Sequence, residues 1–333
     1  MKRKPGMSSM IALALATMLL LGTTTATAQT YNLRVSHVVA QEHPYHYGAL
    51  EFERLIEERT GGRIQVTVFS DGQLGAGERE QVEALQLGAI DIVITGTAVL
   101  ANWVPRLAVM DLPFIFRDYD HVDAVLDGPV GQRLLQMIED ARIGIKPLAL
   151  WEQGFRHLTN SRRPIHSPAD VRGLKIRVQE NPIHVASFET MDASATPMSW
   201  GEVYTALQQG VIDGQENPVP VLLSHRIYEV NQHLAMTGHF YAPAIIIMNE
   251  ARFRSMPEDL QQALVDVARE VSRYEREVAR RMEQEQLDEL VRLGMNVTTP
   301  DKRAFQETMT PVYDRFRDQL GADLIQAVID AGQ

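Results

Sequence analysis

The 333-residue chain contains no cysteine. This absence excludes disulfides, thiolate metal sites and cysteine nucleophiles, so packing alone must hold the fold together. The chain also lacks the motifs typical of serine hydrolases, zinc proteases, phosphate-binding loops and EF-hand calcium sites. The ten histidines show no spacing that would place several around one metal ion, and we expect neither a metal nor another cofactor. These absences argue against an enzyme.

Two local patterns suggest sites at first and fail on closer reading. Gly72, Gly75 and Gly77 form a glycine-rich loop, but their order is wrong for a dinucleotide-binding fingerprint. His43 and His46 flank Pro44 at the start of a predicted helix, where exposed capping or polar roles are expected.

The balance of charge is acidic. The net charge of −11 includes Lys2, Arg3 and Lys4 at the amino terminus, so the chain without them carries about −14. This balance argues against nucleic acid or an anionic membrane as the main partner. An anionic ligand would therefore have to be captured by local positive charge.

The first 28 residues have the composition of a bacterial secretory signal peptide. A basic start precedes an apolar run over residues 11–21, and Ala26-Thr27-Ala28 resembles a cleavage site. A membrane anchor is the alternative, but the run has about half of the ~20 residues that a spanning helix needs. We expect residues 1–28 to be removed, leaving about 305 residues as a soluble protein in the periplasm.

The remaining sequence predicts an α/β protein with a mostly parallel sheet. Predicted strands alternate with predicted helices in the first half, and a second set of strands begins near residue 145. Ser199 and Glu202 are spaced as a capping box, and the polar residues 213–217 read as a turn after a short strand. Residues 257–293 have helical character throughout, predicting either a bridging helix of about 50 Å or a helix pair. The predicted strands cover 33–38, 64–68, 90–95, 145–151, 174–178, 211–212 and 242–248, and the shorter helices start at Pro44 and cover 78–87 and 201–209.

Arg177 stands out within this pattern. Its neighbours Leu174, Ile176 and Val178 are apolar, as in a buried strand, and no acidic residue of the strand can compensate its charge. Burying an unpaired guanidinium costs several kcal/mol. The missing anion is therefore either a residue from elsewhere in the fold or a ligand, and we favour the ligand. Arg177 and Asn217 both lie at or beyond predicted strand ends, where open α/β sheets bind ligands.

Several motifs in one order give the chain a resemblance to a known family. Together they resemble the extracytoplasmic solute receptors of tripartite ATP-independent periplasmic (TRAP) transporters, the DctP family. The likeness covers nearly all of the chain after residue 28. The motifs are Gln73-Leu74-Gly75 with Glu78, Leu112-Pro113-Phe114, Gly173-Leu174-Lys175-Ile176-Arg177, Thr196-Pro197-Met198, Glu202-Val203-Tyr204-Thr205-Ala206-Leu207-Gln208 and Asp213-Gly214-Gln215-Glu216-Asn217-Pro218.

The resemblance implies a two-lobed fold of the type II periplasmic-binding-protein kind. A ligand cleft would lie between the lobes, and a long helix would bridge them. We expect lobe I to comprise residues 29–153 and 243–282, and lobe II to comprise 154–242 and 283–333. Hinge strands are expected near 151–155 and 239–243.

The resemblance also implies which residues bind a carboxylate-bearing solute. Arg177 would pair with the carboxylate, and Arg156 matches the position of a second arginine. Asn217 would donate its amide to the ligand. Trp200 stands where the family tends to carry an aromatic ring, and it either covers the ligand or packs in the core.

Three further residues are expected to face the cleft from lobe I and to bear on the class of substrate. His37, Glu78 and Thr97 lie near the ends of predicted strands or the start of a helix. A carboxylate at Glu78 would repel a second ligand carboxylate, which favours a sugar acid such as a hexuronate over a C4-dicarboxylate. A favourable charge in the first turn of a helix is the alternative role for Glu78.

By the same resemblance, the receptor is expected to be a monomer that delivers its solute to TRAP membrane permease subunits. A sensory ligand-binding protein and a secreted enzyme on the same fold are the other readings. The chain offers no paired nucleophile and base for the enzyme.

Overall fold

The computed structural model describes residues 29–332. The expected signal peptide, residues 1–28, lies outside the described residues. Within residues 29–332, none of the helices has both the length and the apolar character needed to cross a membrane.

Nine strands form one continuous sheet in the order β2-β1-β3-β8-β4-β7-β5-β6, with β9 paired to β8. Five of the eight strand pairs are parallel, as predicted, including both pairs among the first three strands. Parallel pairs lie towards the ends, but β3–β8, β8–β4 and β4–β7 are antiparallel. The strands are β1 Tyr31–Ser36, β2 Ile64–Phe69, β3 Ile92–Gly96, β4 Ile145–Asn160, β5 Lys175–Val178, β6 Ser194–Pro197, β7 Gly214–Asn217, β8 His233–Asn249 and β9 Asn296–Thr298.

Helices of very different lengths connect and cover these strands. The α-helices are α1 Pro44–Thr60, α2 Glu78–Gln86, α3 Thr97–Leu100, α4 Tyr119–Leu126, α5 Pro129–Asp140, α6 Pro182–Glu189, α7 Trp200–Gln208, α8 Val219–Ser224, α9 Glu250–Arg254, α10 Glu258–Arg292, α11 Lys302–Thr308, α12 Thr310–Leu320 and α13 Ala322–Asp330. Short 3₁₀ helices cover Pro105–Asp111, Pro168–Val171 and Ile227–Glu229.

Two apolar clusters mark the two lobes. The first, which we call the α1 core, packs α1 and the first half of α10 against the sheet through residues such as Phe52, Ile246 and Val267. The second, the α7 core, gathers α7, α8 and the end of α10 through Val203, Leu222 and Leu290. A third and larger cluster, which includes Leu134, Ile176 and Phe316, contains residues of both halves of the chain.

Helix α10 bridges the two lobes as a single element of 35 residues. Its apolar positions enter the α1 core from Leu260 to Val271, and Leu290 enters the α7 core. At 1.5 Å per residue the helix is about 50 Å long. The prediction of one long bridging helix is confirmed, and the alternative of a helix pair is wrong.

Strands β4 and β8 also run from one lobe to the other. In β8, Leu234 belongs to the α7 core, whereas Ile246 belongs to the α1 core. Their antiparallel pairing shifts register between Glu152 and Gly154, and Gly154 has φ of +116°. A register shift of this kind bends a strand locally. The irregularity falls within the predicted hinge at 151–155, while the lobe boundaries themselves stay a prediction.

Two local predictions near the cleft are wrong. The turn expected at 213–217 is largely the buried strand β7, because Gly214–Asn217 pair with both β4 and β5. Ser199 is the residue before α7, but its side chain makes no capping hydrogen bond there, so the capping box is not formed.

Candidate functional site

A narrow cavity lies where the carboxyl ends of several strands meet. It measures about 250 Å³ including its open mouth. Residues just after β1 and β5, the last residue of β7 and the start of α2 and α7 contribute to its wall, so both lobes enclose it. The lining residues are Val38, Val39, Glu78, Gln153, Arg177, Gln179, Trp200, Asn217 and Val221.

Arg177 contributes the positive charge of this cavity. Its side chain is buried, and Nε and Nη2 donate to the carbonyl oxygen of Met198 at 2.9 and 2.7 Å. Within residues 29–332, no carboxylate lies within 4.0 Å of its guanidinium, and no other protein hydrogen bond is found for that group. Burial lowers the pKa of Arg177 to about 10, with Glu216 opposing that shift and Arg156 adding to it. The group stays cationic at neutral pH.

The ring of Trp200 lies beside this charge. The guanidinium carbon of Arg177 is 5.6 Å from the centre of the ring, which is within the range of a cation–π contact. Trp200 begins α7 and packs against both the α1 core and the α7 core. Trp200 therefore packs against both cores and also lines the cavity, while its contact with a ligand stays a prediction.

Glu78 faces Arg177 from the other lobe. Its Oε1 accepts hydrogen bonds from Thr95 Oγ1 at 3.1 Å and from the backbone N–H of Gly96 at 2.9 Å. These contacts hold the carboxylate at the end of β3, so Glu78 does more than place charge in the first turn of α2. Its Oε2 lies 3.5 Å from Gln179 Nε2, across the cavity.

Asn217 lines the cavity together with Gln153 and Gln179, neither of which was predicted from the sequence. Asn217 Nδ2 donates to Gln215 Oε1 at 2.5 Å. Gln179 follows Arg177 by two positions, and alternate strand residues share a face, so this spacing could have revealed it. Gln153 lies in β4, and its Oε1 accepts from Arg156 Nη1 at 2.7 Å. Nothing in the local sequence marks Gln153.

Arg156 does not line the cavity. It is buried and forms a two-point salt bridge with Glu216, with Nε 2.5 Å from Oε2 and Nη2 2.9 Å from Oε1. Burial alone would raise the pKa of Glu216, but Arg156, together with the nearby imidazoles of His184 and His239 at 3.7 and 3.6 Å, outweighs it and holds the pKa well below its usual range. The protein itself thus supplies the anion for Arg156, one layer behind Arg177.

His37 and Thr97 are also buried outside the cavity wall. Thr97 Oγ1 donates to the carbonyl oxygen of Pro243 at 3.2 Å. His37 Nε2 lies 3.2 Å from His46 Nδ1, and burial lowers the pKa of His37 to about 3. Of the seven expected binding residues, the structure brings Arg177, Asn217, Trp200 and Glu78 to one cavity.

His43 caps helix α1, since its Nδ1 accepts from the backbone N–H of Tyr45 at 3.2 Å. The capping role is confirmed, but the expectation that the side chain is exposed is wrong, because His43 is fully buried. In the part of the chain that the structure describes, no group of three or more histidine, aspartate or glutamate residues is arranged to hold a metal ion.

This two-lobed fold and its cavity agree with a comparison against protein families. The model of DctP, the bacterial extracellular solute-binding protein family 7, matches residues 35–319. The chain belongs to this family. DctP proteins are periplasmic solute receptors of TRAP transporters that bind small acids, and they are not a family of enzymes. The predictions of the family and of the fold class are confirmed.

Two curated relatives of this DctP protein extend over most of both chains. A solute-binding protein of Verminephrobacter eiseniae is 41% identical over 308 residues, which cover 92% of this chain and 91% of the relative. The 2,3-diketo-L-gulonate-binding periplasmic protein of Escherichia coli K12 is 36% identical over 308 residues, covering 91% and 93%.

Solved structures of TRAP periplasmic solute-binding proteins are similar to this DctP protein over its whole fold. One from Polaromonas sp. JS666, bound to D-erythronate, has a TM-score of 0.88 and 37% identity and covers 91% of this chain and 99% of its own. One from Sulfurospirillum deleyianum, with bound succinate, has a TM-score of 0.86 and 33% identity, covering 91% and 99%. One from Sulfitobacter sp. NAS-14.1, with bound β-D-galacturonate, has a TM-score of 0.86 and 30% identity, covering 90% and 100%.

Proposed function

We propose that this DctP protein binds a sugar acid, such as a hexuronate, in the cavity beside Arg177 and delivers it to the permease subunits of a TRAP transporter. Arg177 pairs with the carboxylate of the acid. Asn217 donates to it, Trp200 covers one face of the ligand, and Glu78 accepts hydrogen bonds from its hydroxyl groups. A C4-dicarboxylate or another carboxylate is the alternative ligand.

The unpaired charge of Arg177 is the observation that carries this proposal. Desolvating a cation is costly unless an anion offsets the lost hydration. In the described residues, the guanidinium donates its hydrogen bonds only to a neutral carbonyl oxygen, and an aromatic ring lies beside it. A carboxylate bound through two parallel hydrogen bonds would supply the missing charge and would fix the orientation of the ligand.

The position of Glu78 favours hydroxyl groups over a second ligand carboxylate. Its carboxylate is fixed by Thr95 and Gly96 and cannot turn away without losing two hydrogen bonds. A second carboxylate placed near it would be repelled, whereas a hydroxyl would donate to Oε2. A sugar acid presents one carboxylate for Arg177 and several hydroxyls for Glu78 and Gln179.

The ligands of similar proteins support an acid but not one single class. The relatives described above take a diketo sugar acid, D-erythronate and β-D-galacturonate, while one takes succinate. Three of these four ligands are sugar acids or close derivatives of them. The ligands of these relatives therefore support the preference for a sugar acid over a dicarboxylate that the position of Glu78 suggests.

The other roles of Arg156, His37 and Thr97 belong to the same proposal. We assign Arg156 to hold Gln153 and β7 in place behind Arg177, and we place His37 and Thr97 in the wall beneath the residues that contact the acid. The protein is proposed to act as a periplasmic monomer after removal of residues 1–28, with no nucleic acid partner. A sensory receptor with the same ligand is the second candidate.

Calorimetric titration tests the proposal. The purified protein is titrated with D-erythronate, D-galactonate, D-galacturonate, D-glucuronate, succinate and L-malate at one pH and ionic strength. We expect at least one sugar acid to bind more tightly than both dicarboxylates. A ligand at 100 times its Kd should add about 2.7 kcal/mol to the free energy of unfolding, which a thermal-shift measurement checks independently. Tighter binding of succinate or L-malate would overturn the choice of substrate, and binding of none would overturn the receptor assignment.

A further inference from the structure

His225 joins the two sides of the cleft mouth outside the ligand cavity. It follows α8, whose Val219 and Leu222 pack in the α7 core. Its Nε2 accepts a hydrogen bond of 3.2 Å from the backbone N–H of Ala40. Ala40 lies on the loop after β1, next to Val39, which packs in the α1 core and lines the cavity. One hydrogen bond thus links the two cores across the cleft.

The same imidazole ring contacts the tryptophan that lines the cavity. The ring centres of His225 and Trp200 are 4.9 Å apart, and the rings stand at 89° to each other. Since Trp200 in turn lies beside Arg177, His225 touches both the loop that carries Ala40 and the ring next to the unpaired guanidinium. His225 does not itself line the ligand cavity.

The direction of the hydrogen bond fixes the protonation state of His225. A backbone N–H is only a donor, so Nε2 must carry a lone pair and the ring proton must sit on Nδ1. An imidazolium donates from both nitrogens and cannot accept this bond. Protonation of His225 would replace an attractive contact by two donors facing each other.

We infer that His225 is a positioning residue whose neutral form holds the cleft closed over the bound acid, and whose protonated form favours opening. This inference rests on the proposed receptor function, but it does not depend on which acid is bound. His225 acts through Ala40 and Trp200 rather than by touching the ligand.

The charged and titratable groups around His225 agree with a neutral ring in the closed form. His37 and His43 are fully buried behind the loop that carries Ala40, and burial lowers the pKa of both rings, so neither supplies a positive charge that His225 must face at neutral pH. Burial lowers the pKa of His225 to about 4, while Asp71 and Glu42 at the mouth oppose the shift. His46, also beside Asp71, has a pKa lowered by its own burial.

The sign of the pH effect follows from comparing the closed and open forms. An exposed histidine titrates near pH 6.5, so the pKa of His225 is lower when the cleft is closed. Neutral His225 therefore contributes its full free energy to the closed form above about pH 6.5. This contribution is lost as the pH falls towards 4. Between pH 7.5 and 5.0, this single proton would weaken binding by about thirtyfold.

The experiment measures the Kd of D-galacturonate, and of succinate in parallel, from pH 7.5 to 5.0. His225→Leu should weaken binding about three- to tenfold at pH 7.5, because a neutral hydrogen bond across the mouth is lost. His225→Gln places an amide oxygen near Ala40, so its Kd at pH 7.5 should stay within threefold while its pH dependence largely disappears. His166→Gln is the control, because His166 is exposed and does not line the cavity. This variant should keep the wild-type dependence of Kd on pH.

A wild-type pH profile that persists in His225→Gln would assign the proton to His37 or His43 and overturn the inference. Unchanged binding by His225→Leu at pH 7.5 would overturn it as well. If none of the six acids named under the proposed function binds the unmodified protein, the receptor proposal fails separately, and closure is followed without a ligand. Because the chain has no cysteine, spin labels at Thr67→Cys and Gln209→Cys report the distance between the lobes. A closed fraction that falls with pH in the wild type and not in His225→Gln supports the inference, and one that does not fall overturns it.

Discussion

Arg156 and Arg177 are both buried, but only Arg156 has a carboxylate partner. Glu216 binds Arg156 at 2.5 Å, whereas Arg177 has no carboxylate within 4.0 Å among the described residues. The two arginines differ because Leu158 pairs with Glu216 in the β4–β7 ladder, which brings that carboxylate to Arg156. Arg156, which is neutralised by Glu216, does not line the cavity, whereas Arg177, which has no carboxylate partner, lies in the cavity wall.

Replacing Arg177 should remove most of the affinity for any acid. Arg177→Ala should cost about 2–5 kcal/mol of binding, roughly thirtyfold to several thousandfold, since the ligand carboxylate would be buried without a partner. Arg177→Lys should recover only part of this, because an ammonium group cannot form two parallel hydrogen bonds. Isothermal titration calorimetry measures the change in Kd.

Arg172→Ala is the matched control for this prediction. Arg172 lies on the surface, and among residues 29–332 its only ion pair is an exposed one with Asp192 at 3.1 Å. Its loss should leave the Kd within twofold, because exposed ion pairs contribute little. If Arg177→Ala also binds within threefold of the wild type, Arg177 is not the residue that binds the carboxylate.

The position of Arg177 could be predicted because both the apolar neighbours and the missing anion are visible in the sequence. Gln179 could also have been predicted to face the cavity, because it follows Arg177 by two positions and alternate strand residues share a face. The pairing of Arg156 with Glu216 could not be predicted, because it depends on which strands are neighbours in the sheet. The same difficulty explains why the antiparallel pairs at the centre of the sheet were not predicted. Strands β4 and β8 are buried on both faces, so no alternation of polar residues revealed their full lengths of 16 and 17 residues.

Breaking the salt bridge behind the site should destabilise the whole protein. Glu216→Gln leaves Arg156 buried without its anion, and we expect the free energy of unfolding to fall by about 3–5 kcal/mol. Urea denaturation followed by circular dichroism measures this change. Glu202→Gln, at an exposed glutamate with no ion pair in the described residues, should change it by less than about 0.5 kcal/mol.

The same pair predicts how stability depends on pH. The pKa of Glu216 is held well below its usual value in the folded protein by Arg156, against the opposing effect of burial. Its contribution is therefore fully present above about pH 4.5 and is lost as the pH falls through the folded-state pKa. The difference in unfolding free energy between the wild type and Glu216→Gln should narrow below pH 4.5. A difference that stays constant down to pH 3 would show that the carboxylate charge is not what stabilises the pair.

Closing of the cleft should be visible in solution. We expect the radius of gyration measured by small-angle X-ray scattering to decrease when a bound acid brings the lobes together. The bend should fall where β4 and β8 change register near Gly154. Arg177→Ala at the same acid concentration serves as the control and should keep the larger radius. Identical profiles for free and saturated wild type would argue against a closing receptor.

Glu78 separates the two classes of substrate, because they predict opposite signs for one substitution. In Glu78→Gln the amide oxygen can keep the hydrogen bonds from Thr95 and Gly96, while the negative charge is lost. With D-galacturonate, a ligand hydroxyl would lose a charged acceptor, and binding should weaken by about 1–3 kcal/mol. With succinate, the substitution removes a repulsion and should strengthen binding or leave it unchanged. Calorimetric titration with both acids measures the change in Kd that Glu78→Gln causes for each of them. Glu83→Gln, at an exposed glutamate, is the control. Equal weakening for both acids would mean that Glu78 shapes the cavity without discriminating between a hydroxyl and a carboxylate.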